Sequence, residues 1–240
     1  MDREIRNIVV IGSGNVAWHL VNACIHGGIS VVQILAHNET TAQSLSQTFS
    51  VPYIYDPALL VKDADLYLVA VQDDRIKETA ALLGLTEQLL VHTSGYLSID
   101  ALSDFSSNTG VLWPLQTLTT GKEVKYNTIP FFTEGNSNEN RGRLERFAAI
   151  LTHRVIVADS PKRQKIHLAA VIASNLTNQL YSISATILER QDIPFDVLAP
   201  LILETANKAG QQHPLQSQTG PAVRKDLQVI GNISILFVIA

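Results

Sequence analysis

Short apolar runs alternate with helix-like spacing through the first 95 residues, and this alternation leaves few folds open to the chain. Each run is apolar at successive positions rather than at every second one, as in strands buried on both faces of a parallel sheet. Four such runs predict strands: IVVIG (8–12), ISVVQILAH (29–37), DLYLVAV (65–71) and LLVHTSG (89–95). Strands separated by helices of this length predict an α/β fold built on a doubly wound parallel sheet.

Capping residues mark the predicted helices between these strands. The first helix repeats apolar residues at spacing four and ends at Gly27-Gly28. Thr40 or Thr41 is predicted to cap the second helix, and Asp74 to cap the third. The apolar spacing and the caps therefore predict a helix between each pair of these strands.

The pattern changes in the second half of the chain. GVLWPL, IPFFTEG and RVIVAD predict further short strands that end near Asp159. Ser160-Pro161 then begins a predicted single helix that runs to about residue 191, followed by a second helix over 193–210. We predict two domains, an α/β domain over 1–158 and a smaller all-α domain over 159–240.

The first strand–helix turn carries the pattern Gly12-x-Gly14-x-x-Ala17. In a Rossmann-type sheet the first glycine permits the tight turn, the second lets the backbone approach a pyrophosphate, and the small third residue lets helix and strand pack closely. The alternative is a tight turn without a ligand, and the surrounding strand–helix–strand pattern favours a dinucleotide. The predicted phosphate loop comprises Gly12, Ser13, Gly14, Asn15 and Val16.

The end of the second predicted strand indicates which dinucleotide binds. NAD sites place an acidic residue there to bind the ribose hydroxyls, but this chain has His37 and Asn38, and Glu39 follows late. Without the acid a 2′-phosphate is not repelled, and His37, Asn38 or Thr40 could donate to it. The sequence favours NADP and leaves NAD possible, since the segment contains no arginine; His37 could also be an exposed strand-end histidine.

Two later strand ends are predicted to border the same crevice, because ligands of doubly wound sheets bind at the carboxyl ends of the strands. Val71 and Gln72 follow one of these strands, and Thr93, Ser94 and Gly95 follow the next. The hydroxyls and the glycine are predicted to lie on the nicotinamide side.

A polar stripe marks the long predicted helix. At about 100° per residue, His167, Ser174 and Asn178 fall within about 20° of one line, with Asn175 beside it. Such a stripe either faces water or lines a site. We predict His167 and Asn175 as catalytic residues and Ser174 as a substrate residue, in a crevice bounded on its other side by residues 92–95.

Two further polar features accompany that helix. In QTGPAVRKD (218–226), Thr219 and Arg224 are predicted substrate residues that suit carboxylate capture, although a plain capped helix fits equally. Lys162, Arg163 and Lys165 lie near the helix N-terminus, where the helix dipole disfavours cations, which indicates either a nearby anion such as the cofactor or a solvated first turn.

Composition excludes several classes of partner. The formal charge is −4 with no Lys/Arg-rich run, so duplex nucleic acid and anionic membranes are poor partners. Cys24 is the single cysteine, which excludes an intramolecular disulfide and a CxxC metal pair. The charged start and the twelve-residue apolar end predict neither a secretory signal nor a membrane span, and hence a cytoplasmic protein without a metal site.

Taken together, the motifs resemble a family of proteins named putative NADP oxidoreductases, in which a Rossmann-like domain precedes an uncharacterised helical domain. They are relatives of pyrroline-5-carboxylate reductase and of deazaflavin-dependent NADP oxidoreductases. The resemblance runs from residue 8 to 226 and rests on VVIGSGNVAWHL, DADLYLVAVQDDRI, VHTSGYLSIDAL, GVLWPLQT, KIHLAAVIASNLTNQLY, PLILETANKAG and QTGPAVRKD. It implies the same phosphate loop, a nicotinamide-side loop at 93–95 and a substrate pocket with His167, Asn175 and Thr219.

The chain departs from its relatives at two places. Related 3-hydroxyacid dehydrogenases have a catalytic lysine four residues before an asparagine, whereas Val171 precedes Asn175 here. The tail 227–240 is uncharged, and its role is left open.

The leading hypothesis is an NADP-dependent oxidoreductase that acts on a small carbonyl or imine substrate; the alternative is a catalytically silent nucleotide-binding regulatory or scaffold protein. The apolar long helix also predicts a homodimer built through the helical domain.

Overall fold

The computed structural model describes residues 4–221 and 223–232. The chain divides into two compact units, Met1–Val171 and Ile172–Ala240. The first unit confirms the predicted α/β class, and the second is helical. The predicted domain boundary after residue 158 stays a prediction.

An eight-stranded sheet forms the centre of the first unit, in the order β3-β2-β1-β4-β5-β6-β7-β8. The strands are β1 Asn7–Ile11, β2 Ser30–Leu35, β3 Tyr53–Ile54, β4 Leu66–Val69, β5 Leu90–His92, β6 Thr109–Pro114, β7 Pro130–Gly135 and β8 Arg154–Val157. Every neighbouring pair is parallel except β6 with β7. The chain order reverses beside β1, which lies between β2 and β4, and this is where doubly wound sheets bind ligands.

Helices cover the sheet; those up to β5 occur at the predicted places with different caps, whereas the helix between β7 and β8 was not predicted. They are α1 Asn15–His26, α2 Glu39–Phe49, α3 Ile76–Leu82, α4 Asn138–Leu151 and α5 Ser160–Val171, with 3-10 turns at Pro57–Leu59, Asp73–Arg75, Ile99–Leu102 and Tyr126–Thr128. Neither threonine caps α2: Asn38 does, accepting from the Thr41 amide at 2.9 Å. Asp74 caps no helix, since it lies inside the 3-10 turn before α3.

Two apolar layers hold the helices to the sheet. Along β4, Leu66 and Leu68 pack into one layer and Tyr67 and Val69 into the other, so the strand is buried on both faces as predicted. The Cys24 thiol is fully buried in the first layer, and burial raises its pKa.

The antiparallel strand decides where α5 begins. Because β7 reverses direction and β8 runs parallel to it, β8 runs opposite to β1, and its last residue, Val157, pairs with Thr133 of β7, which pairs with Leu112 of β6. The residue before Leu112, Val111, pairs with His92 at the end of β5, so α5, which starts three residues after β8, begins near the carboxyl end of β5. The sequence predicted the three late strands but not this reversal.

The second unit begins with a π-helical segment, Ile172–Leu176, and continues with α6 Thr177–Glu189, a 3-10 turn Phe195–Leu198, α7 Ala199–Gln211 and α8 Pro214–Ser217. The predicted helix to about residue 191 forms as three consecutive helical segments that end at Glu189, and the middle segment is π-helical. A π turn advances less than 100° per residue, so the angles that aligned His167 with Ser174 do not hold across it. None of the described helices is long and apolar enough to cross a membrane.

Candidate functional site

The two glycines of the first turn meet different constraints. Gly12 has φ +117°, and a Cβ built on it would lie 2.4 Å from the Ala70 carbonyl oxygen. Gly14 precedes α1 in an extended conformation with φ −81°, and a Cβ there would meet nothing within 4 Å. The fold itself therefore requires glycine at position 12, whereas glycine at 14 leaves open space in front of the helix.

A cleft of about 660 Å³ lies at this turn, beside the carboxyl ends of β1, β2 and β4. The predicted cofactor residues that line it are Gly12, Ser13, Gly14, His37, Asn38, Val71 and Gln72. It falls within the usual size range for small-molecule sites. The N-terminus of α1 has no side-chain cap, so its first-turn N–H groups can bind an anion.

Asn15 and Val16 take other positions. The Asn15 side chain accepts hydrogen bonds from the backbone amide and the hydroxyl of Thr120, at 3.0 and 2.8 Å. Val16 packs against the apolar core. The side-chain NH₂ of Asn15 and the backbone groups of both residues are left to serve a ligand at the helix N-terminus.

The cleft also contains residues that the sequence analysis did not assign to it: Thr41, Ala70, Arg75, Glu78, Thr79 and Leu82. Arg75 and Glu78 are three residues apart after β4 and pair at 3.6 Å. Helical spacing after a strand end was the pattern that could have identified them.

Some polar groups at the end of β2 already hydrogen-bond within the protein. Asn38 uses its side-chain oxygen for the α2 cap, which leaves its amide NH₂ free to donate. The Ser13 and Thr41 hydroxyls lie 2.6 Å apart. His37 is exposed in the cleft, while Thr40 lies outside its lining.

The loop after β5 is held rigidly by its own side chains. The Ser94 hydroxyl donates to Asp73 at 2.7 Å and accepts from the amides of Tyr96 and Leu97 at 3.1 and 3.0 Å. The Thr93 hydroxyl donates to the Val69 carbonyl at 3.5 Å. Both hydroxyls therefore fix the loop. Its remaining predicted residue, Gly95, packs closely, since a Cβ built on it would lie 2.5 Å from the Trp113 ring.

His92 is fully buried beneath that loop. Its Nδ1 accepts from the Ser94 amide and its Nε2–H donates to the Ser98 carbonyl, each at 3.2 Å. Burial, and secondarily the charge of Arg163, lowers the pKa of His92 to about 4. The folded protein thus holds this imidazole neutral.

Stability should therefore fall as the pH falls below about 6.5, because the unfolded imidazole takes up a proton there and the folded one does not until about pH 4. Between about pH 6.5 and pH 4 the free energy of unfolding should decrease by about 3 kcal/mol in total. Urea unfolding at pH 7.5 and 5 would measure it, with His92→Asn as control, since asparagine can still accept from Ser94. The variant should show a shallower pH dependence, and an equal slope in both proteins would contradict the assignment.

A buried ion pair fixes the start of α5. Arg163 is fully buried, its guanidinium donates to Glu134 and to the Leu97 carbonyl, and Glu134 also accepts from the Ser160 amide at 2.9 Å. The predicted anion near this basic turn is thus the Glu134 carboxylate of β7, whereas Lys162 and Lys165 are exposed. These contacts join α5 to the loop after β5.

His167 lies against that loop. A Cβ on Gly95 would fall 2.7 Å from His167 Nδ1, and the Trp113 and Tyr96 rings lie 5.6 and 6.4 Å from the imidazole. Nδ1 is buried and has no hydrogen-bond partner among residues 4–221 and 223–232, so an Nδ1–H tautomer would bury an unsatisfied donor. The surroundings favour the Nε2–H tautomer, in which Nε2 can donate to a bound molecule.

The remaining predicted residues belong to the second unit. Ser174 and Asn175 lie in the π segment, and Thr219 and Arg224 are exposed on either side of Gly220, which has φ +101°. Residues 227–232 are helical, and the rest of the tail lies outside the described residues. No cluster of three or more metal-ligating side chains occurs among the residues that the structure describes.

Two family models match the chain. One is described as NADP oxidoreductase, coenzyme F420-dependent, and matches residues 7–96. The other is described as a domain of unknown function, DUF2520, and matches residues 129–232. No curated protein matches the chain.

Solved structures resemble the chain over almost its whole length. A Bacteroides fragilis protein described as a "putative NADP oxidoreductase" is 38% identical with a TM-score of 0.86, covering 95% of this chain and 89% of that one. A Thermotoga maritima protein is 24% identical (TM-score 0.79, 94% and 88% covered). Pyrroline-5-carboxylate reductase of Streptococcus pyogenes is 14% identical (TM-score 0.66, 97% and 91% covered). The latter two likenesses concern the fold alone.

Proposed function

The chain belongs to the NADP oxidoreductase family that joins a nucleotide-binding domain to a DUF2520 domain, and from that premise we propose that it transfers hydride between NADP(H) and a small carbonyl or imine substrate. The observation that carries the proposal is the open cleft at the Gly12–Gly14 turn. Residues 1–158 are the proposed nucleotide domain and 159–240 the proposed substrate and dimerisation domain.

The residues at the turn fit a dinucleotide. The space in front of Gly14 admits a phosphate against the backbone, and the uncapped N-terminus of α1 supplies N–H donors and a partial positive charge. His37 and the Asn38 amide offer donors where an NAD site has a carboxylate. These groups support NADP as the cofactor, with NAD as the weaker candidate.

His167 is the proposed proton donor or substrate-orienting residue. NADP(H), when bound, supplies the hydride, and reduction of a carbonyl or imine then requires one proton at oxygen or nitrogen. As proton donor, His167 gives that proton from Nε2 of its imidazolium form; in its neutral Nε2–H form it orients the substrate by donating a hydrogen bond, while Trp113 and Gly95 fix the plane of the ring. Asn175 is a proposed second catalytic residue, and Ser174, Thr219 and Arg224 are proposed substrate contacts.

One observation favours a second function, a nucleotide-binding scaffold without turnover. Val171 stands where related 3-hydroxyacid dehydrogenases have their catalytic lysine. Binding measured apart from turnover separates the two functions. NADPH and NADH titrations followed by turnover assays with keto, imino and deazaflavin-type acceptors are the experiment.

Micromolar NADPH binding with turnover supports the enzyme, and binding without oxidation by any acceptor supports the scaffold. Tighter binding of NADH than NADPH would contradict the cofactor choice. Absence of nucleotide binding would contradict both functions.

His167→Ala should lower turnover by about 10²-fold if the imidazole donates the proton. Nucleotide affinity should stay unchanged, because His167 does not line the cleft. Lys165→Ala, an exposed change on the same helix, is the control. Turnover equal to wild type in a folded His167→Ala protein would remove the histidine from the mechanism.

We also propose that the second unit joins two copies of the chain. None of the described residues from 172 onward is buried, and several large apolar side chains there are more than half exposed: Ile172, Leu176, Leu180, Val197, Leu201, Leu203, Leu215, Val223 and Leu227. Helices without buried apolar area cannot offset the entropy of ordering the chain. A second copy, with the same apolar faces, covers them in a symmetric dimer.

Light scattering at micromolar concentration should give twice the 26.3 kDa chain mass. Leu180→Asp should shift the mass toward the monomer, because a charge on this 59% exposed apolar position opposes burial. Gln179→Asp adds the same charge at an exposed polar neighbour and should leave the dimer intact. A wild-type mass near 26 kDa would refute the dimer.

A further inference from the structure

We propose that Arg75 recognises the 2′-phosphate of NADP(H) and is the residue of this chain that most strongly selects NADP over NAD. The inference rests on the proposed nucleotide site and names a specificity residue within it. It starts from the position of Arg75, which closes the 3-10 turn after β4 and lines the same cleft as His37 and Asn38.

The cleft contains a guanidinium that can bind a phosphate dianion, that of Arg75. Arg75 and Glu78 are the charged side chains in its lining apart from His37, and they pair with each other at 3.6 Å. Their side chains are 63% and 68% exposed, so the pair is weakly held and can open. A phosphate dianion is a stronger partner for a guanidinium than one solvated carboxylate, because two oxygens can accept its N–H groups together.

The end of β2 supports the same partner. NAD sites read the ribose hydroxyls with a carboxylate at this point, and His37 and Asn38 stand there instead. Arg75 approaches from the neighbouring strand end beyond β1, where its three-methylene side chain reaches into the shared cleft. A phosphate between these elements would be bound from both sides.

Glu78 offers the competing interpretation. Its carboxylate lines the cleft and could accept from ribose hydroxyls, which would favour NAD. Against this, its nearest charge is the Arg75 guanidinium, one helical turn away. We assign Glu78 the role of holding Arg75 until the phosphate replaces it.

The experiment compares two fragments on the full-length protein by calorimetry: 2′,5′-ADP, which carries the 2′-phosphate, and 5′-ADP, which does not. Arg75→Ala should weaken 2′,5′-ADP by about 10- to 100-fold, the equivalent of one charge-assisted interaction, and leave 5′-ADP within about twofold. Lys77→Ala removes the same charge from an exposed neighbour outside the cleft and should change neither affinity. Glu78→Gln should tighten 2′,5′-ADP, because a competing carboxylate is lost.

Different failures overturn different claims. If wild type binds 2′,5′-ADP and Arg75→Ala binds it equally well, the role of Arg75 is overturned and the nucleotide site stands. An equal loss for both fragments would mean that Arg75 contacts the shared adenosine part, and an equal loss in Lys77→Ala would mean a non-specific charge effect; either overturns the inference. If wild type binds neither fragment nor NADPH, the proposed function is overturned together with it.

Discussion

Glu134→Ala should lower the free energy of unfolding by about 3–5 kcal/mol, because it leaves the fully buried Arg163 guanidinium without its carboxylate. The Ser160 amide and hydroxyl lose their acceptor as well. Urea unfolding followed by circular dichroism measures the change. The loss should be larger than that from Glu145→Ala, whose exposed pair with Arg141 contributes about 0–1 kcal/mol.

The double variant Glu134→Leu with Arg163→Met tests the cause of this loss. Replacing a buried pair by apolar residues of similar volume is often neutral or stabilising, so the double variant should recover much of the stability that the single variant loses. A double variant as unstable as Glu134→Ala would contradict the buried-charge explanation and leave the packing of α5 as the cause.

Gly14→Val should lower NADPH affinity by about 10³-fold while the protein folds normally. The added side chain would enter the open space in front of α1 and displace a phosphate from two or more charge-assisted hydrogen bonds, each contributing about 1.5–3 kcal/mol. The φ of −81° is allowed for valine, so the backbone need not change. Fluorescence titration gives the affinity, and the thermal midpoint reports the fold.

Gly12→Ala provides the contrasting case. Its Cβ would collide with the backbone of Ala70, at a φ that L-residues rarely adopt. The thermal midpoint of this variant should therefore fall, in contrast to that of Gly14→Val. For Gly14→Val, an unchanged NADPH affinity in the folded protein would contradict the assignment of the phosphate site to this turn.

The first strand, glycine turn and helix were predictable because their determinants are local in sequence. An apolar strand, a glycine turn and a helix period lie within residues 7–26, and the structure forms each of them there. The cap of α2 was misassigned because three polar residues, Asn38, Thr40 and Thr41, compete within one turn, and only the hydrogen-bond geometry selects Asn38.

The parts that were missed depend on contacts distant in sequence. Arg163 lies in a basic stretch typical of a solvated helix start, and its burial depends on Glu134, 29 residues earlier. The reversal of β7 depends on which neighbour β6 pairs with, and a short apolar run is compatible with either direction. The π segment leaves no pattern in apolar spacing, since one wider turn changes the helix period only locally.

The strands beside β6 also bear on how the protein avoids aggregation. Both lateral edges of the sheet are short strands, the two residues of β3 and the four of β8, which limits pairing with other chains. β6 is buried along its whole length and is interior because β7 pairs with it. A chain cut before residue 129, where the DUF2520 match begins, would expose β6 as a long apolar edge with unpaired backbone groups. β7 and β8, which lie in the DUF2520 match, thus cover the edge of a sheet whose first strands lie in the NADP oxidoreductase match.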